Sequence, residues 1–531
     1  MTRALALALL LCWPGWLFWP GWAGAQSPGW EEILGAADRA LEAGQVEDAE
    51  RLYASAIKKA ESFGESDLRL ARSLTALGVF YREQGRYRDA SPLFGRALSV
   101  TEKAVPPGDP ALVPALNNLG AVWLQQGQAS AAEPLFRRSM AIAEKSLGPD
   151  DPSTATSMAG LAAVYQARAR YAEAEPLYRG AIRIYEKALG SADPAVARPL
   201  SSLGGLFREQ GRYRDAEPLY RRALSIVEQA LGPDHVQTAL PLGGLAALYN
   251  AQGRYREAEP LYRRTLAIQE RAMGPDHPAL AGTLNDLGDL YRVQGRYADA
   301  EPLFLRSIAI REARLGPRHP DVGATLGNLG LLYFDQRRYA DAEDAYTRAL
   351  AILDPGPGRE TPVVTESLNN LAELYRVQGR YAEAEPLYRR SLSIREQALG
   401  PEHPSVATSL NNLAAFFHVQ GRYAEAEQLY RRTLVILEKS VGPEHQRVGI
   451  TLNNLAEVYR AQGRWEDAAR LYPLAIVIVE KNLGPDHPTL AGLLENYAVV
   501  LRRARRDAEA LEIDARARDI RARHAIQNPR R

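Results

Sequence analysis

Apolar residues along this chain fall into paired stripes. Between Pro404 and Gly442, Leu410, Leu413, Ala414 and Phe417 lie three and four positions apart, a spacing that puts them on one face of a helix. Gly421 follows, where a residue with left-handed backbone ends a helix at little cost. Tyr423 opens a second stripe through Ala426, Leu429, Tyr430, Thr433, Leu434 and Ile436, and Gly442-Pro443-Glu444-His445 closes it with turn residues. Elsewhere a proline follows the histidine, at His277-Pro278, His403-Pro404 and His487-Pro488. It suits the first turn of the next helix, where its missing N–H costs nothing. The unit predicted is helix, tight turn, helix, loop.

That unit recurs every 42 residues. The glycine of a Gly-Arg-Tyr signature falls at Gly85, Gly127, Gly211, Gly253, Gly295, Gly379, Gly421 and Gly463, with an earlier copy at Gly44. The same register lands on Ala169, Arg337 and Arg505, where the glycine alone has changed. A period of this size marks a repeat array whose units bury their apolar faces against neighbours. The fold class predicted is therefore all-α, a solenoid of about twelve helix–turn–helix repeats over residues 26–524, followed by a short polar tail at 525–531.

Within the unit, Ala216, Ala258, Ala300, Ala384 and Ala426 recur where the two helices are expected to cross most closely. Tyr213, Tyr255, Tyr297, Tyr381 and Tyr423 are expected to wedge between helix pairs. Pro92, Pro134, Pro176, Pro218, Pro260, Pro302 and Pro386 fall several residues into the second helix, which either starts just before them or bends there. Asp354-Pro355-Gly356-Pro357-Gly358 rewrites one loop without changing its length, and reads as a soft joint at 354–358.

Residues 1–25 change the picture of where the array works. Arg3, the apolar run Ala4 to Leu11 and the small residues Ala23-Gly24-Ala25 form an export signal, with cleavage expected before Gln26. Export to the periplasm or beyond is the expected fate, in a bacterial source, and an uncleaved membrane anchor is the alternative. The only cysteine, Cys12, lies inside that segment, so the mature chain is expected to have no thiol chemistry and no disulfide. Without Arg3 the basic and acidic residues balance, which argues against nucleic acid as a partner.

The order Leu, Leu, Ala/Gly, Tyr, Gly, Tyr, Ala, Tyr/Phe, Ala resembles the tetratricopeptide repeat. The 42-residue version, with Leu410-Asn411-Asn412-Leu413-Ala414, Gly421-Arg422-Tyr423-Ala424-Glu425-Ala426-Glu427 and Leu399-Gly400-Pro401-Glu402-His403-Pro404, is similar to the repeats of kinesin light chains. The resemblance covers roughly residues 30–524. It implies a right-handed superhelix whose first helices line a concave, peptide-binding groove. Motor transport is not implied, because export separates this chain from a cytoplasmic motor.

In related repeats the second Asn of the Leu-Asn-Asn-Leu segment faces the groove and bonds the backbone of an extended peptide. Here that column reads Asn118, Gly160, Ser202, Gly244 and Asp286, then an unbroken run of Asn328, Asn370, Asn412, Asn454 and Asn496. An amide both donates and accepts, so such a ladder reads peptide backbone without choosing its sequence. The competing role is to tie neighbouring repeats together. Six residues on, a second column holds Arg82, Arg208, Arg292, Arg376, Arg460 and Arg502, with Asn250 and His418 between. Arg376, His418 and Arg460, beside Asn370, Asn412 and Asn454, mark the best candidate groove, with Glu373 and Glu457 as acidic partners. The bland alternative pairs each Arg with a nearby acid in solvent.

Chemistry that would make this an enzyme is absent from the sequence. It has no phosphate loop, no His-Glu-x-x-His and no nucleophile elbow. His235, His277, His319, His403, His445 and His487 come once per repeat, too far apart to share a metal, and read as loop residues. No catalytic residue, metal or cofactor is expected, and no fused catalytic domain. From Arg502 onward arginines outnumber acids, as the polar face of a terminal repeat requires; contact with an anionic surface is the sharper alternative. The function expected is an exported scaffold that binds extended segments of other proteins. A self-associating envelope platform is the rival.

Overall fold

The computed structural model describes residues 28–354 and 364–527. The expected leader at 1–25, positions 355–358 of the expected joint and the last four residues lie outside the described residues. Twenty-four α-helices, from α1 (Pro28–Glu42) to α24 (Asp507–Gln527), pair in chain order as an all-α solenoid. Two short 3-10 segments, Pro194–Val196 and Val236–Thr238, lead into α9 (Ala197–Glu209) and α11 (Ala239–Ala251), and there is no strand among the described residues. Among them, too, no helix is long and apolar enough to cross a membrane.

The chain divides into two compact units. One comprises Met1–Leu206, Pro218–Gly244 and Ala267–Ala279; the other comprises Phe207–Glu217, Leu245–Leu266 and Leu280–Arg531. In the first, the helices from α1 through α8 (Tyr171–Leu189) pack each on the next, around cores that include Trp30, Tyr53, Phe80 and Phe94. In the second, the same nearest-neighbour packing runs from α14 (Tyr297–Leu315) to α24, and an apolar cluster from Ala372 to Ile520 includes Tyr388, Phe416, Tyr430 and Tyr472.

Among the described residues, a side chain caps the start of most repeats. Asp67, Asp151 and Asp193 accept a hydrogen bond from the backbone N–H two residues on, each at 2.8 Å. The loop histidines do the same through Nδ1, at 3.1 Å in His403 and His445 and 3.2 Å in His235, His277, His319 and His487. An imidazole that accepts at Nδ1 must be neutral, so the cap fixes both tautomer and charge.

The tight turn keeps one backbone conformation whatever residue fills it. Gly85, Gly211, Gly379 and Gly421 have φ of 71–76°, and Ala169, Arg337 and Arg505 hold 55°, 61° and 62° in the same place. Those three therefore carry left-handed strain of about 1 kcal/mol each. The second helix starts at Tyr87, Tyr171, Tyr213 and their equivalents, and it continues past the internal proline. Pro92 is thus an interior residue of α4 (Tyr87–Ala104), forfeiting one backbone bond without ending the helix.

Packing explains the invariant small and large positions. Ala216, Ala258, Ala300, Ala384 and Ala426 have no exposed surface, as expected where the helices of a pair meet. The wedge itself is not the tyrosine that opens each second helix: of those five, only Tyr213 is buried, and Tyr381 is 40% exposed, touching Phe416 edge-on at 6.1 Å. The ring seven residues later, as in Tyr220, Tyr388, Tyr430 and Tyr472, lies sealed in the interior. In the first unit, Phe136 crowds both Gly120 and Gly160, and Tyr220 crowds both Gly204 and Gly244; a Cβ would collide at Gly120, Gly160 and Gly244 and meet the Tyr220 ring at 3.1 Å at Gly204.

The arginine of Gly-Arg-Tyr joins repeat to repeat. Arg254 lies 4.0 Å over the ring of Tyr249, donates to Glu217 of the preceding repeat at 3.2 Å and pairs with Glu257 three residues on at 2.6 Å. Arg296, Arg380, Arg422 and Arg464 repeat the arrangement in full. A stacked guanidinium with two acids contributes roughly 1 kcal/mol at such half-exposed sites, and the contribution recurs along the array.

Two outcomes are expected. Arg337→Gly removes left-handed strain and should raise unfolding free energy by about 1 kcal/mol in urea melts; a loss would mean that the Arg337 side chain contributes more than its backbone costs. Stability should also fall in acid. His445 is held down to about 4 by burial and then by the neighbouring Arg447, and His487 to about 4 by burial and then by His524. An unfolded histidine titrates near 6.5, so between there and about 4 the unfolded chain takes up protons that the folded one refuses. Stability is complete above this window, drops as pH falls through it and levels off below, by about 3 kcal/mol for His445. Thermal melts from pH 7.5 to 4 should show that loss, and His445→Asn, a cap that does not titrate, should flatten it.

Candidate functional site

Three first helices in the second unit carry the sequence-predicted residues: α17 (Val364–Val377), α19 (Pro404–Val419) and α21 (Gln446–Ala461), with consecutive members in contact. Helical spacing makes residues three apart neighbours on the helix surface. The three helices thus present a grid. Its rows are Asn370, Glu373, Arg376; Asn412, Ala415, His418; and Asn454, Glu457, Arg460.

The outer rows are internally satisfied. Arg376 grips Glu373 with Nε at 2.7 Å and a second nitrogen, and the Tyr388 hydroxyl of α18 (Tyr381–Leu399) donates to the same carboxylate at 2.9 Å. Arg460 grips Glu457 with Nε at 3.0 Å, and Tyr472 of α22 (Trp465–Leu483) donates to it in turn. These carboxylates raise the pKa of both arginines through their hydrogen bonds. Burial and the adjacent glutamate push both tyrosine hydroxyls well above their usual range. Arg376 and Arg460 are therefore already paired, and so are other members of their column. Arg292 holds Asp289 and Asp335, and Arg502 holds Asp514.

The asparagine run divides in two. Asn328 donates to Asn285 at 2.8 Å, Asn454 to Asn411 at 3.2 Å and Asn496 to Asn453 at 3.4 Å, in each case to the preceding repeat. Those three amides join repeats. Asn370 and Asn412 are half-buried and make no side-chain hydrogen bond among the described residues. The bond that Asn412 would make in this register is missing, and the buried Oδ1 of Asn369 is left without a partner. Gly160 and Gly244 stand in the asparagine column because the rings of Phe136 and Tyr220 occupy the space.

The middle row is different in kind. A recess of about 240 Å³ opens there, lined by Glu373, Arg376, Ala415, His418, Val419, Tyr430, Asn454 and Glu457. His418 stacks loosely on Tyr423 at 5.8 Å and has no hydrogen bond among the described residues. Burial lowers its pKa; Glu457 pulls it back up and Arg460 opposes that. Ala415 and Tyr430 escape a reading by residue type, since neither is a conspicuous binding residue. The signal available in the sequence was the break in a column, Glu373, Ala415, Glu457.

The tetratricopeptide-repeat model matches residues 33–103, 112–187, 195–271, 237–313, 279–354, 364–439, 405–476 and 447–523. The chain belongs to the tetratricopeptide-repeat family. Among solved structures it is similar to BtubC (BKLC) from P. vanneervenii, at 24% identity over 43% of this chain and 90% of that one, with a TM-score of 0.36. It is also similar to the nearly identical TPR-like repeats of a Podosopora anserina putative kinesin light chain, at 26% identity over 40% and 98%, with a TM-score of 0.32. No curated protein matches the chain. Among the described residues of this repeat protein no three His, Cys, Asp or Glu side chains are grouped to hold a metal ion. At the C-terminal end, Arg502, Arg506, Arg516, Arg521 and Arg523 are each paired with an acid.

The grid predicts its own energetics. Glu457→Ala would strand the buried Tyr472 hydroxyl and the Arg460 guanidinium together, so it should cost about 1–3 kcal/mol in urea unfolding. An unchanged midpoint would show that solvent replaces the carboxylate without penalty.

Proposed function

We propose that this chain is an exported scaffold that binds extended segments of partner proteins along the face of α17, α19 and α21. Tetratricopeptide repeats suggest a protein–protein interaction scaffold, and the finer reading rests on one observation. Asn370 and Asn412 hold half-buried amides with no partner among the described residues, while their equivalents at Asn328, Asn454 and Asn496 are consumed in joining repeats. A polar group held at a surface without a partner is available to a peptide backbone, which offers both donors and acceptors. Arg376, His418 and Arg460 flank the same path. Export is supported by the Ala23-Gly24-Ala25 cleavage pattern behind an apolar run.

The second reading is a self-associating platform. Val435 and Val477, in the same register of α20 (Tyr423–Ser440) and α22, are each 65% exposed, and such residues favour apolar contact between copies.

Capture from an envelope extract distinguishes the two. The chain from Gln26 should retain a partner that Asn370→Ala/Asn412→Ala loses at unchanged helicity, and N-terminal sequencing of the exported protein should begin at Gln26. Equal capture by both forms would sink the asparagine reading. A mass in solution that rises with concentration and drops for Val435→Ser/Val477→Ser would favour the platform.

A further inference from the structure

The middle row of the grid lacks a group that both of its neighbours have. In the outer rows, a tyrosine of the second helix donates to a glutamate fifteen residues earlier: Tyr388 to Glu373 and Tyr472 to Glu457. Tyr430 is the equivalent ring, and the residue fifteen before it is Ala415. The ring is 1% exposed and lines the recess beside Ala415, yet its hydroxyl has no hydrogen-bond partner among the described residues. That hydroxyl is not among the fully buried atoms left without a partner, so its donor opens on the recess and is available to a ligand there. Two polar groups that line this opening, the His418 imidazole and the Tyr430 hydroxyl, are unbonded among the described residues, as is the Asn412 amide on the same helix as His418.

We propose that the recess beside Ala415 takes the carboxylate of a partner's Asp or Glu side chain, in the place where the flanking repeats carry their own glutamate. This rests on the peptide-binding reading above and names the chemistry of one contact within it. The Tyr430 hydroxyl donates to the incoming carboxylate as Tyr388 and Tyr472 donate to theirs. His418, three residues after Ala415, stands where Arg376 and Arg460 stand in the flanking rows, and it supplies the N–H that those arginines supply. Charge does not oppose entry. The recess faces Glu373 and Glu457, but Arg376 and Arg460 hold each of them in a short ion pair, so neither is a bare negative charge. Arg376 itself lines the recess and adds a positive edge. A carboxylate that arrives beside neutral His418 favours the imidazolium, so binding takes up a proton and should strengthen as pH falls from about 7.5 to 6.

Acetate is the probe, with acetamide as its uncharged counterpart, on the full chain with 13Cε1-labelled histidine and the His418 resonance assigned from His418→Gln. Acetate should shift that resonance saturably and raise the His418 pKa by about 0.5–1 unit, and acetamide should not. Ala415→Glu should supply the missing carboxylate in cis, raising the melting temperature and abolishing the acetate response. Tyr430→Phe loses a hydroxyl that is unbonded in the free protein, so it should melt as wild type while weakening acetate about tenfold. It also keeps the test decisive if Ala415→Glu misfolds. A His418 resonance indifferent to acetate, or an acetate response undiminished in Tyr430→Phe, would overturn the proposal. Partner capture separates the two readings: a partner held equally by wild type and Ala415→Glu removes this contact but leaves the peptide-binding face. A full acetate response with no partner captured does the reverse.

Discussion

No helix pair in this chain seals its own apolar face, and everything else follows from that constraint. A lone pair would leave its buried tyrosine and the inner sides of both helices in water, at tens of cal/mol for each Å² exposed. The neighbouring pair provides the cover, so interfaces matter more than units. The sequence answers with devices set at each joint. A ring wedges against two repeats at once, a glycine or alanine yields it room, and the Gly-Arg-Tyr arginine stacks on its own repeat while bonding an acid of the one before. Strain at Ala169, Arg337 and Arg505 is tolerated because the turn is fixed by the helices on either side.

The same economy makes a departure visible. When a position does one job in two flanking repeats, the repeat between them that omits it leaves its partners unsatisfied in a known place. Glu373 and Glu457 satisfy a tyrosine and an arginine each, whereas Ala415 satisfies neither Tyr430 nor His418. The asparagine run works likewise. Three members are spent on joints, and the two that are not lie on α17 and α19.

Much of this was legible in the sequence, and for a physical reason. A period of 42 residues fixes helix, turn and loop in one copy, and eleven other copies test the assignment. The all-α class, the left-handed turn at Gly421 and the close crossing at Ala426 are local or nearest-neighbour matters, set by residues a few positions apart. The prediction failed where side chains of equal type compete. Tyr423 and Tyr430 both suit a wedge, and only packing shows that the second is sealed while the first opens the helix. The histidine column does lie in the loops, as read, and the structure adds that each one caps the following helix through Nδ1.

Sequence by itself therefore determined the repeat, its helices and the columns where function was to be sought, because those depend on periodicity and backbone preference. Only the tertiary structure decided which column members are free. Asn454 and Asn412 are identical in type and register, but one reaches an acceptor in the preceding repeat and the other does not. Arg460 and His418 share a column, yet a glutamate three residues earlier occupies the first and an alanine leaves the second open. The second difference is written in residue identity once the column is known, but the first is not: hydrogen-bond geometry between repeats decides which of two identical asparagines is engaged.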